Sequence, residues 1–133
     1  MNVNFLNTKL KTLIWCVEDW TPLFFVYRFV REFYLYKDLE LLKKITLEII
    51  QNLLEEELVI AGDLLPDDTF KVWNKSIKEI LIEIKSQWDN LDRGIYPHEI
   101  VWFDITEKGE KEIEYLNSLP ELADHDSFYF DGK

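Results

Sequence analysis

Apolar residues recur along this chain at two spacings, three-to-four and two, and the change between them divides it into elements. Leu6, Leu10, Leu13, Ile14 and Val17 stand three and four apart, which predicts a first helix over residues 5–17 with Lys9 and Lys11 on its outer side. Thr21 followed by Pro22 predicts the next helix start, because threonine caps and proline in the first turn gives up no needed hydrogen bond. In the helix expected over residues 22–36, Phe24, Phe25, Tyr27, Phe29, Phe33 and Tyr34 surround nearly the whole circumference, which places it at the centre of the core. Asp38 is positioned to cap a third helix, whose stripe Leu42, Ile45, Ile49 and Leu53 ends around Glu56.

The spacing then shortens. Residues 58–62 are short, carry the β-branched Val59 and Ile60 and are bounded by Gly62, Asp63 and Pro66, which predicts a strand, with a turn over residues 66–69. Ile77, Ile80, Leu81, Ile84, Trp88 and Leu91 restore the helical spacing and predict a helix over residues 74–90. Residues 93–97 read as a loop and residues 98–105 as a second strand. Thr106 caps a last helix over residues 106–118, with Ile113 and Leu116 inward. Two short strands make no large sheet. The expected fold is therefore mainly α, of the α+β class: one domain over residues 1–118, with a small antiparallel hairpin and an acidic C-terminal tail over residues 119–133.

Composition excludes a disordered chain, since 47% of the 133 residues are hydrophobic and 15% aromatic. The stretch 23–36 is too short and too interrupted by Arg28, Arg31 and Glu32 for the roughly 20 apolar residues of a membrane span. No basic segment followed by an apolar run opens the sequence, so no signal peptide is expected and the cytoplasm is the expected compartment. Fifteen lysines and arginines against 26 aspartates and glutamates leave a net charge of −11. Phosphate backbones repel such a surface, whereas a basic protein is drawn to it.

Catalytic chemistry finds little footing. The single cysteine, Cys16, lies among Ile14, Trp15 and Val17 and reads as a small buried side chain. Asp124-His125-Asp126 is the nearest approach to a metal motif but falls in the tail, and His98 follows Pro97 at a strand start. The four glycines are isolated, so no phosphate-cradling loop exists. No catalytic residue, metal ligand or cofactor is expected. Glu55, Glu56 and Glu57 stand out for another reason: they place negative charge at a helix C-terminus, where the macrodipole disfavours it, as though awaiting a cation. Asp63, Asp67 and Asp68 follow closely and extend the acidic stretch, with Tyr96 in a loop as a candidate aromatic anchor.

The run Thr106-Glu107-Lys108-Gly109 after an alternating strand, and the passage from Leu53 to Gly62, resemble winged-helix regulators, in which a helix, a strand, a hairpin turn, a returning strand and a closing helix follow in that order. The resemblance implies a winged-helix-like core with the helix around Trp88 inserted at the wing tip. It admits a DNA-binding transcriptional regulator, dimeric through its aromatic N-terminal helices. The helix that would enter the major groove carries Lys43 and Lys44 against Glu40, Glu48, Glu55, Glu56 and Glu57, unlike a base-reading helix.

Asp19-Trp20-Thr21-Pro22-Leu23, Phe70-Lys71-Val72-Trp73, Ile84 with Trp88, and the strand from Glu99 to Asp104 together resemble small bacterial immunity proteins of polymorphic-toxin and contact-dependent growth-inhibition systems. That resemblance implies a cytoplasmic, non-enzymatic protein, monomeric or homodimeric, that blocks the active site of one cognate toxin domain, such as a basic nuclease. Glu55, Glu56, Glu57, Asp63, Asp67, Asp68 and Tyr96 are the residues expected to meet it.

Overall fold

A computed structural model describes residues 2–122. Helix α1 spans Val3–Glu18, strand β1 Thr21–Pro22, helix α2 Leu23–Tyr34 and helix α3 Leu39–Glu55. Strands β2 (Val59–Leu64) and β3 (Phe70–Val72) form a hairpin, followed by helix α4 (Ile77–Asp89), strand β4 (Trp102–Ile105), helix α5 (Glu107–Asn117) and a 3₁₀ turn at Pro120–Leu122. The class is α+β, with helices dominating.

The four strands lie in the order β1-β4-β2-β3, all antiparallel. A strand between the first two helices pairs with the strand preceding the last, which pairs in turn with the strand following α3. Strand β3 and helix α4 thus stand between β2 and β4 in the chain, although β2 and β4 pair directly. The expected pairing of residues 58–62 with 98–105 is present as Val59↔Ile105 through Gly62↔Trp102. Strands β1 and β3 add to the expected hairpin, and Phe70–Val72 continues the chain across from Leu64 rather than leading straight into a helix.

Local chemistry sets several boundaries. Asp38 accepts hydrogen bonds from the N–H groups of Glu40 and Leu41, and Thr106 from that of Gly109, as capping predicts. Helix α4 starts later than its periodicity suggests because Ser76 and Glu79 form a reciprocal capping box. Thr21 is not a cap: it is drawn into β1 opposite Phe103, and Pro22 takes the N-cap position without a side-chain hydrogen bond. Helix α3 ends in a Schellman-type turn, in which Leu58 N–H bonds Leu53 O and Glu57 N–H bonds Leu54 O, with Glu57 at φ 60°.

The core lies between α1, α3 and the inner face of the sheet, where Leu10, Leu13, Ile14, Ile49, Ile50, Leu53, Val59, Ala61 and Phe103 are buried. The aromatic α2 is not at its centre. Only Leu23, Val26, Phe29 and Val30 of α2 are buried, while Phe24, Phe25, Tyr27, Phe33 and Tyr34 remain half-covered. The centre belongs instead to α1 and α3, whose thinner stripes meet the sheet. Leu119 is half-buried and Leu122 buried, so the domain continues past Ser118. The rest of the acidic tail, including Asp124-His125-Asp126, lies outside the described residues.

Candidate binding surface

The acidic residues singled out in the sequence separate into two groups at opposite ends of β2, about 17 Å of strand apart. Glu55, Glu56 and Glu57 close α3 before β2 begins. Asp63, Asp67 and Asp68 lie at the other end, on and around the β2–β3 turn. The loop carrying Tyr96 enters β4 at this second end, since Trp102 pairs with Gly62 and Ile105 with Val59.

The first group is occupied by the protein itself. Lys9, expected on the outer side of α1, is 3% exposed and its Nζ lies 2.9 Å from Glu56 and 3.2 Å from Glu112. An ammonium from α1 thus reaches the C-terminal end of α3 and offsets both the carboxylates and the helix dipole there. The hydrogen bond from Lys9 holds the Glu56 carboxyl below its ordinary range, against a smaller opposing effect of burial. Lys11 is also inward, 2.8 Å from Glu32 and 4.9 Å from the centre of the Phe29 ring. Glu55 is exposed and accepts from Gln51 at 2.9 Å, while the Glu57 carbonyl accepts from Thr106 Oγ1 at 2.7 Å.

The second group is open. Asp67 accepts from the N–H and hydroxyl of Thr69 at 3.2 and 2.6 Å, a local turn that lowers its pKa and leaves the carboxylate charged and exposed. Asp68 follows at φ 65°, and Asp63 stands exposed opposite Lys71 in the register. Tyr96 is 57% exposed, with the Arg93 guanidinium 3.7 Å from its ring centre. Arg93 forks onto Glu99 at 2.8 and 2.6 Å, and Tyr96 N–H donates to the same carboxylate at 2.7 Å. Those bonds, the guanidinium foremost, bring the Glu99 pKa down to about 2.

Beside this end lies a feature that hydrophobicity alone conceals. Alternation along the paired strands puts Ile60, Gly62, Leu64, Phe70, Val72, Trp102 and Asp104 on the face of the sheet turned away from the core. Trp20 stacks on Phe70 with ring centres 5.9 Å apart, and His98 on Trp102 at 5.9 Å. The Phe70 ring lies so close over Gly62 that a Cβ there would meet it at 2.6 Å and Lys71 O at 2.5 Å. Trp20, Phe70 and Trp102 are half-buried, and Val72 is exposed. Of the five tryptophans only Trp88 is buried, against Tyr27 and under Lys43.

Burial pushes the Cys16 thiol up to about 12, and its Sγ faces Phe103 O at 4.0 Å. Among the described residues no three His, Cys, Asp or Glu side chains gather as metal ligands would. Among the described residues no helix is long and apolar enough to cross a membrane. The arrangement defines an α+β domain with an aromatic sheet face bordered by carboxylates, suited chemically to binding. Comparison with protein-family models, curated proteins and solved structures found no match for this chain.

Proposed function

We propose that this protein is a cytoplasmic, non-enzymatic immunity protein that binds a cognate basic toxin domain and covers its active site. The observation that carries the reading is the aromatic sheet face of Trp20, Phe70 and Trp102 lying beside the acidic end formed by Asp63, Asp67 and Asp68. Carboxylates steer a basic partner and raise the rate of encounter; desolvated aromatics supply most of the binding energy. Tyr96 flanks that end. Glu56 is better understood as a structural partner of Lys9, so reversing its charge would disturb the fold rather than report on binding.

A DNA-reading use of the winged-helix-like core has less support. The exposed side of α3 carries Glu40, Glu48 and Glu55 against Lys44, while the insertion α4 packs along the same helix and Lys43 is taken up by Asp89 at 2.6 Å.

The test is growth of cells expressing the C-terminal domain encoded by the reading frame immediately upstream, with and without this protein. Specific rescue and a one-to-one complex are expected. Asp67→Asn combined with Asp68→Asn, which keeps an acceptor for Thr69 and a residue suited to φ 65°, should keep the fold but slow association and weaken rescue. Toxicity without rescue would overturn the proposal, and full rescue by the double variant would remove this end of the sheet from the interface.

A further inference from the structure

Asp104 stands on the aromatic face of the sheet as a half-buried carboxylate, and among the described residues no side chain donates a hydrogen bond to it or forms an ion pair with it. It lies opposite Ile60, with Trp102 two residues away on the same side, roughly 7 Å of strand. Trp20 stands one residue before Thr21, the partner of Phe103, and so comes in from β1 at the level of Asp104. Aspartate is disfavoured in strands, and charges that guard a sheet against association belong on its edges. Strand β4 runs between β1 and β2, so Asp104 guards no edge. Alternation calls for a polar residue where the outer face is wet, but here the neighbours are two indoles and an isoleucine.

The adjoining loop shows what such a carboxylate takes. Arg93 forks onto Glu99 at 2.8 and 2.6 Å while its guanidinium lies 3.7 Å from the centre of the Tyr96 ring. Ring, guanidinium and carboxylate are all supplied there by the chain itself; at Asp104 the described chain supplies the rings and the carboxylate alone. A guanidinium suits this setting better than an ammonium. It is planar and weakly hydrated, and it can lie flat on an indole while two N–H groups meet one carboxylate, whereas the ammonium is a compact, strongly hydrated charge. We propose that Asp104, with Trp20 and Trp102, receives an arginine side chain presented by the partner protein. This deepens the function proposed above and rests on it for a basic partner. Ile60 is four residues of β2, about 13 Å, from Leu64, where the turn bearing Asp67 and Asp68 begins, so a second cation at that spacing completes the contact.

The experiment titrates the full-length protein with a blocked glycine-arginine-glycine peptide and, separately, with its lysine counterpart, and follows the indole N–H resonances of Trp20 and Trp102 by NMR. The arginine peptide is expected to bind about fivefold more tightly. Asp104→Asn, its fold checked by amide dispersion, should bring the arginine peptide to the level of the lysine peptide. Trp20→Leu keeps the carboxylate and should reduce the preference to about twofold. Equal binding of the two peptides, no response of either indole, or a preference that survives Asp104→Asn would overturn the proposal. A thymidine oligonucleotide that shifts both indoles at lower concentration than the arginine peptide would assign the face to stacked bases and likewise overturn it. The two readings separate cleanly. Arginine preference without rescue in the growth assay would keep this contact and refute immunity, whereas rescue undiminished in Asp104→Asn, with no arginine preference in the wild type, would refute this contact and keep immunity.

Discussion

Lys9 offers the sharpest test of how charge is accommodated in this fold, because its ammonium is buried while both its carboxylate partners reach solvent. The Lys9 side chain is 3% exposed, against 42% for Glu56 and 23% for Glu112. Removing the cation and removing the anions should therefore have unequal effects. In Lys9→Met the stem is replaced by an apolar side chain of similar length and the two carboxylates turn to water, so the loss should stay within about 1 kcal/mol. In Glu56→Gln combined with Glu112→Gln a buried ammonium keeps only amide oxygens, and the loss should approach about 3 kcal/mol, the lower end for an uncompensated buried charge. Against a total stability of about 5–15 kcal/mol, that difference is large.

Urea unfolding followed by tryptophan fluorescence measures both. With a slope of about 2 kcal/mol per molar, the double variant should unfold about 1.5 M earlier than wild type and Lys9→Met within about 0.5 M of it. The single variant Glu56→Gln, which leaves Glu112 in place, should fall between. The pH dependence has a defined sign. Glu56 is held below its ordinary range when folded, so its contribution is present above the unfolded value of about 4.3 and fades as pH falls through the lower folded value. Lys9→Met should flatten that part of the acid profile. If Lys9→Met were as damaging as the double variant, the burial asymmetry would not govern the site and the reasoning would fail.

Three further outcomes follow from the same geometry. Glu57→Gly, at φ 60° in the turn after α3, should raise stability by about 1 kcal/mol, read as a later urea midpoint at unchanged slope; a loss would mean that the Glu57 side chain contributes more than its backbone costs. Gly62→Ala should destabilise by about 1–3 kcal/mol and shift the ring resonances of Phe70 and Trp20, since the new methyl enters the space of the Phe70 ring and of Lys71 O; unchanged stability would contradict that close approach. The Glu99 carboxyl should titrate near about 2 by carbon-detected NMR and move upward in Arg93→Gln. The order it gives the Tyr96 loop is therefore kept from neutral pH downward and lost only as pH falls through that value, and an ordinary titration near about 4.3 in the wild type would remove the fork from the account.

Much of the fold was legible because its signals are local. Asp38 and Thr106 each bind N–H groups within three residues, so a cap can be read without knowing what the helix packs against. Thr21-Pro22 was misread for the complementary reason: it has the local look of a helix start, and the pairing that makes it a strand comes from Phe103 and Trp102. Helical spacing alone puts Lys9 outward. Only the adverse charge at Glu55, Glu56 and Glu57 indicated that a cation must arrive at the end of α3, and it could not say that the cation came from α1. The candidate surface was half visible. Its acidic end follows from Asp63, Asp67 and Asp68 in the sequence, but its aromatic face depends on which side of the sheet Trp102 takes. Strict alternation through Val101, Trp102, Phe103 and Asp104 contains that information, since Trp102 shares its side with the polar Asp104.

The position of β4 also bears on how this protein is made. It pairs with β2 from about 45 residues away and with β1 from about 80, so closing the sheet means bringing together segments that leave the ribosome far apart in time. Helices and the β2–β3 hairpin can form from what has already emerged. Until residues 102–105 follow, β2 presents an unpaired edge, a template for misassociation with another nascent chain. The aromatic face thus comes into being only once β4 has emerged, and a chain halted within α4 would hold α1, α2 and α3 with no finished surface to offer a partner.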